Sequence, residues 1–105
     1  MDFKELTSRM QALVSAKGWD APDSKRPQTP RNIAVSLSLE AAEILEHFQW
    51  AEECGAPDEL AGELADVALY LVQLAALCEI DLEEAILRKV AVNYTRTWDN
   101  DDRET

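Results

Sequence analysis

Two stretches of this chain, LSLEAAEILEHF and ELADVALYLVQLA, each combine a helical apolar period with a pair of acids three residues apart. Spacing of i, i+3 puts Glu40 and Glu43 on one face of the first run, and Glu63 and Asp66 on one face of the second. Acids among core positions must be paired, hydrogen-bonded or bound to a cation, because an isolated buried carboxylate is too costly. The fold has to supply that environment.

The rest of the chain is punctuated as helices. Phe3, Leu6, Met10 and Leu13 or Val14 follow the helical period and predict a first helix over about residues 2–17, stopped by Gly18. WDAPDSKRPQ, residues 19–28, carries two prolines and reads as a loop. Its Trp19 is expected to cap the core, with a ligand lid as the alternative. Thr29 as N-cap and Pro30 at the first helical position start a second helix, expected to reach about Glu53 with Gly55 just beyond. Pro57 opens a third, with Asp58 and Glu59 complementing its dipole and Leu60, Leu64, Val67, Leu71, Leu74 and Cys78 as its apolar stripe. Asp81 with Glu84 makes a capping-box-like start for a fourth, which carries Leu82, Ile86, Leu87 and Val90 to about Thr97. The acidic tail, residues 99–105, is expected to fray. No strand pattern or repeat occurs. The fold class is all-α, four helices in a single domain over residues 1–105.

A net charge of −11, from 21 acids and 10 bases, argues against binding a nucleic-acid polymer through its phosphates. A small anionic ligand remains open if metal ions bridge the charges. Two cysteines, no apolar leader and no apolar stretch long and charge-free enough for a membrane lead to the expectation of a reduced, cytoplasmic protein without a membrane partner. Short helices at this size bury their apolar faces incompletely, so a symmetric dimer is expected.

The acids form the pattern E-x2-E-x19-E-x2-D. On a helical wheel Glu40 lies between Ile33 and Ile44, with Glu43, Ser36 and Trp50 along the adjoining edge. Glu63, Asp66, Tyr70 and Gln73 make one polar and aromatic stripe on the third helix. A short Gly55-Ala56-Pro57 turn brings the two stripes together. Four converging carboxylates suit a hard divalent ion, Mg²⁺ or Mn²⁺, which commonly arrives with substrate phosphates. A di-iron site would need Glu-x-x-His on two helices. His47 is the only histidine and reads as a surface or core-edge residue, and Cys54 and Cys78 are not at chelating spacing. Lys89, Asn93 and Arg96 share a face of the fourth helix, where the cations can neutralise phosphate oxygens and the amide can donate to a phosphate or base. Trp50 and Tyr70, expected near the acids, can stack on a nucleobase. The bland alternative is a non-enzymatic helical interaction module with a solvated acidic face.

The acid pattern, with PRNIAVSLSLEAAEILEHFQW before the gap and ELADVALYLVQLA after it, resembles the MazG-like all-α nucleotide pyrophosphohydrolases, and most of all their dCTP pyrophosphatase branch. The likeness runs from about Thr29 to Arg96. It implies that Glu40, Glu43, Glu63 and Asp66 hold Mg²⁺, that Lys89 and Asn93 contact a nucleotide with Arg96 near its phosphates, and that Trp50 and Tyr70 line the base or sugar pocket. It also implies a dimer or tetramer that hydrolyses a nucleoside triphosphate, dCTP or a modified dNTP among the candidates, to the monophosphate and pyrophosphate. Glu46 matches a recurring acid of open role. Two departures bear on base preference. Thr97-Trp98 stands where members often carry Tyr-Pro, and Gln28 stands where the dCTP branch has a histidine before its PRN.

Overall fold

Every helix begins or ends on a local signal that the sequence carries at that point. The computed structural model describes residues 1–96, which form α1 (Phe3–Ala16), α2 (Pro30–Glu46), α3 (Pro57–Leu77) and α4 (Leu82–Tyr94), with no strand among them. Asp2 starts α1 by accepting the Glu5 amide at 2.9 Å. Gly18, at φ 71°, ends it in a Schellman turn: the Gly18 amide donates to Ser15 O at 3.0 Å and the Trp19 amide to Val14 O at 3.1 Å. That turn folds Trp19 back onto Met10, Val14 and Val72, so Trp19 caps the core as expected.

Thr29 Oγ1 accepts the Asn32 amide at 3.1 Å, and Asn32 Nδ2 donates to Pro27 O at 2.9 Å, so the PRN sequence ties the loop to the start of α2. Pro57 occupies the first turn of α3 beside Asp58 and Glu59. A second Schellman turn ends α3, with Ile80 N–H to Ala75 O at 2.8 Å and Glu79 N–H to Ala76 O at 3.2 Å. Here the left-handed position is held by Glu79, at φ 57°, rather than by glycine. Asp81 Oδ1 then accepts the Glu84 amide at 3.0 Å to start α4, while the Glu84 carboxylate pairs with Arg88 at 3.2 Å.

Two helix ends differ from expectation. α2 stops at Glu46, not Glu53, where the His47 and Phe48 amides tighten onto Ile44 O and Leu45 O at 3.2 and 2.9 Å. α4 stops at Tyr94. Thr97, Trp98 and the acidic tail lie outside the described residues.

α3 is the hub, with α1 and α2 both packed on it. Met10, Val14, Ile33, Val72 and Ala75 are the buried apolar residues, with Leu6, Trp19, Leu69 and Leu82 packed around Met10, Val14 and Val72. Gln73 is buried too, and its Nε2 donates to Gln28 Oε1, while Gln28 Nε2 donates to Arg26 O at 2.7 Å. This chain of amides seats the 19–28 loop against α3. Gln28 precedes α2 and Gln73 lies late in α3, while His47 at the end of α2 meets Glu63 early in α3, so the two helices run as an antiparallel hairpin.

The expected apolar stripe of α3 is corrected. Leu64 and Leu71 are 51% and 42% exposed and Cys78 is exposed, while Val72, Gln73 and Ala75 face inward. α3 is apolar on most of its circumference, so periodicity alone does not say which side meets α1. It is also the one described helix apolar and long enough by composition to cross a membrane, with mean hydropathy 1.6, contrary to the expectation that no stretch qualifies. Its leucines outweigh Glu63 and Asp66 in that average; in this fold it is the helix on which α1 and α2 pack. α4 buries none of its residues. The radius of gyration, 16.6 Å, exceeds the roughly 13 Å of a compact domain of this size. A single copy leaves the bundle open.

Candidate active site

The hairpin gathers the four acids onto one face. The charges of Glu43, Asp66 and Glu63 all act on Glu40, and together with desolvation, the largest cause, they push its carboxyl above the ordinary glutamate range. Glu40 and Glu63 are half-buried, while Glu43 and Asp66 are exposed. Arg9 and Arg88 pair with Glu5 and Glu84 on their own helices rather than with these acids. Among the described residues, no three His, Cys, Asp or Glu side chains stand close enough together to hold a metal ion between them. What the face offers a cation is its donor chemistry: four carboxylates, the oxygen ligands that suit a hard divalent ion.

His47 joins this site, which spacing alone did not reveal. Its Nε2 lies 2.7 Å from Glu63 Oε1, and the two side chains are only 11% and 24% exposed. Its Nδ1 lies 3.9 Å from Cys54 Sγ. A core-edge place for His47 is what the sequence led one to expect; its bond to one of the four acids is new. The available signal was its position four residues after Glu43. His47 is also the C-cap of α2, so the bond to Glu63 joins the end of that helix to α3.

The aromatic and basic candidates are gathered less closely. Tyr70 is half-buried on α3, one turn beyond Asp66. Trp50 is 90% exposed in the loop of residues 47–56, so it is not on the edge of α2 beside Glu43, and the hairpin connection is longer than the Gly55-Ala56-Pro57 turn. Glu46 is exposed at the last position of α2. Lys89 and Asn93 are exposed on α4, while Arg96 lies beyond that helix, its amide donating to Asn93 O at 3.2 Å. α4 packs only slightly on the other helices, and its Ile86, Leu87 and Val90 are 43%, 61% and 47% exposed.

An antiparallel helix pair that presents four carboxylates, with no strand among the described residues, defines an all-α acidic-site protein. The chain belongs to the MazG-like family, whose model matches residues 35–105 and so spans all four acids. It is 43% identical over 76 residues to dCTP pyrophosphatase 1 of Bos taurus and 41% identical over 76 residues to that of Homo sapiens, each match covering 64% of this chain and 45% of the relative. A dATP/dGTP diphosphohydrolase of Salmonella phage PMBT28 is 47% identical over 38 residues, covering 36% of this chain and 13% of the relative. The chain thus spans less than half the length of the curated relatives it matches.

Proposed function

We propose that this chain hydrolyses a (deoxy)nucleoside triphosphate, dCTP or a modified dNTP among the candidates, to the monophosphate and pyrophosphate. The observation that supports the reading is the grouping of Glu40, Glu43, Glu63 and Asp66 on one hairpin face, close enough that the other three act on Glu40 through their charge. The names of its relatives, dCTP pyrophosphatase 1 and dATP/dGTP diphosphohydrolase, supply the substrate class. Glu40, Glu43, Glu63 and Asp66 would hold Mg²⁺, with Mn²⁺ as a substitute. The bound ion supplies charge neutralisation for the triphosphate and acidifies water.

Among the four, Glu40 would orient or deprotonate the attacking water. Water adds to phosphorus, the anhydride P–O bond breaks, and the proton leaves on Glu40 while pyrophosphate departs. Lys89 and Arg96 offset phosphate charge and Asn93 donates to the nucleotide. Trp50 and Tyr70 flank the base. Association of copies as a dimer or tetramer covers Leu64, Leu71, Ile86 and Leu87 and gives α4 a packing partner. The two free thiols, Cys54 and Cys78, accord with a cytoplasmic setting.

The test is a screen of (d)NTPs and modified dNTPs with Mg²⁺, reading pyrophosphate and monophosphate, on wild type and Glu63→Gln. The expected result is release by wild type and none by the variant, with helicity equal by circular dichroism. Equal release by both sinks the site assignment. No release from any nucleotide, with no Mg²⁺-dependent thermal shift, returns the chain to the interaction-module reading.

A further inference from the structure

His47 is the most enclosed polar group touching the four acids, at 11% side-chain exposure, and it is held from both sides. A glutamate carboxylate only accepts hydrogen bonds, so the proton between them sits on Nε2 and is donated to Glu63 Oε1 at 2.7 Å. On the far side Cys54 Sγ stands 3.9 Å from Nδ1, where a thiol hydrogen can be received by the second ring nitrogen. The order Cys54, His47, Glu63 is thus a line of side chains from the 47–56 loop to the second turn of α3. It turns the imidazole to one orientation and takes up one of the two oxygens of Glu63.

A free glutamate beside three like charges swings away from them. The Glu63 charge acts on Glu40 across this face, and a repulsion between two carboxylates is mutual. The His47 bond opposes that swing. Carboxylates that bind cations are commonly oriented by such outer hydrogen bonds, whose loss costs metal affinity.

We propose that His47 is a positioning residue for the cation site: by donating from Nε2 to Glu63 Oε1 it holds Glu63 on the acid face and leaves its Oε2 as a one-oxygen ligand, with Cys54 orienting the ring. This rests on the reading of the four acids as a cation site. His47 touches neither substrate nor cation and acts through Glu63.

The test is Mn²⁺ affinity of the full chain without nucleotide, read from the free-ion EPR signal, for wild type, Glu63→Gln, His47→Gln, His47→Asn and Cys54→Val. Glutamine places an N–H near the position of Nε2; asparagine reaches only as far as Nδ1. The expected result is wild-type affinity in His47→Gln and a loss of about 10- to 100-fold in His47→Asn, with a smaller loss in Cys54→Val. Far-UV circular dichroism and thermal melts run alongside, and the Gln/Asn contrast, between side chains of like polarity, keeps the test decisive. Equal affinity in His47→Gln and His47→Asn, whether at the wild-type level or both reduced, overturns the proposal while wild type and Glu63→Gln still differ. If wild type itself holds no Mn²⁺, or Glu63→Gln holds it as well, the four-acid reading fails and the proposal fails with it.

Discussion

Glu79 closes α3 in a conformation that suits glycine, and replacing it should stabilise the protein. Its φ of 57° follows from the Schellman turn, in which Glu79 N–H reaches Ala76 O at 3.2 Å and Ile80 N–H reaches Ala75 O at 2.8 Å. A non-glycine residue in this region carries about 1–2 kcal/mol of strain between Cβ and the following carbonyl. Its carboxylate also sits at the negative end of the α3 dipole, an exposed site where a mismatched charge costs about 0.3 kcal/mol, the low end of the range. Against these, glycine gives the unfolded chain extra freedom, which offsets about 0.5–1 kcal/mol. Glu79→Gly should therefore gain about 1 kcal/mol, or about 4–8 °C in Tm for a domain of this size. Glu79→Gln separates the two causes, since it removes the charge and keeps Cβ; it should gain about 0.3 kcal/mol. Urea melts at fixed protein concentration measure both, with m unchanged. If Glu79→Gly is neutral or destabilising, or if Glu79→Gln matches it, strain at this turn is not the cause.

Glu40 offers a test with a definite sign. Its carboxyl is raised, so the native state holds that proton more tightly than the unfolded chain does, and its contribution to stability falls as pH rises through the carboxylate range. Without divalent ions, Glu40→Gln should melt above wild type near neutral pH, and the gap should close as pH drops below the ordinary glutamate value; a gap independent of pH refutes the crowding. Met10→Ala removes a residue only 5% exposed from the contact between α1 and α3, and a loss of about 2–5 kcal/mol is expected in urea melts. Thr29→Ala deprives the Asn32 amide of its 3.1 Å acceptor, for an expected cost of about 1 kcal/mol; a cost below measurement would show that Pro30 alone starts α2.

The helix starts and the acid face were legible because short-range chemistry determines them. Thr29, Pro30, Pro57 and Asp81 act on amides within three residues of themselves, and i, i+3 spacing puts paired acids on one face whatever surrounds the helix. What stayed hidden depended on distant partners. HFQWAEE has no helix breaker, so nothing local marks the end of α2 at Glu46, and the bond from His47 to Glu63, 16 residues away, is equally invisible in the local sequence. The inward side of α3 was ambiguous because Leu64 and Leu71 are as apolar as Val72 and Ala75, and only α1 chooses between them. α4 was read correctly as a helix, but that it buries none of its residues in a single copy is a matter of packing that its own period cannot encode.

The amide pair Gln28–Gln73 carries a consequence for how this sequence can change. The two residues are separated by 45 positions, yet each is the answer to the other's need: Gln73 is buried, and Gln28 is the acceptor that the 19–28 loop brings to it. Losing Gln28 strands the buried Gln73 amide at about 1–3 kcal/mol, a large share of the margin of a small domain. An apolar pair of similar volume at both sites leaves nothing stranded. These positions should therefore drift together among descendants of this sequence, as a linked pair of letters far apart in the text, while Lys25 and Arg26 in the same loop, both exposed, are free to change singly.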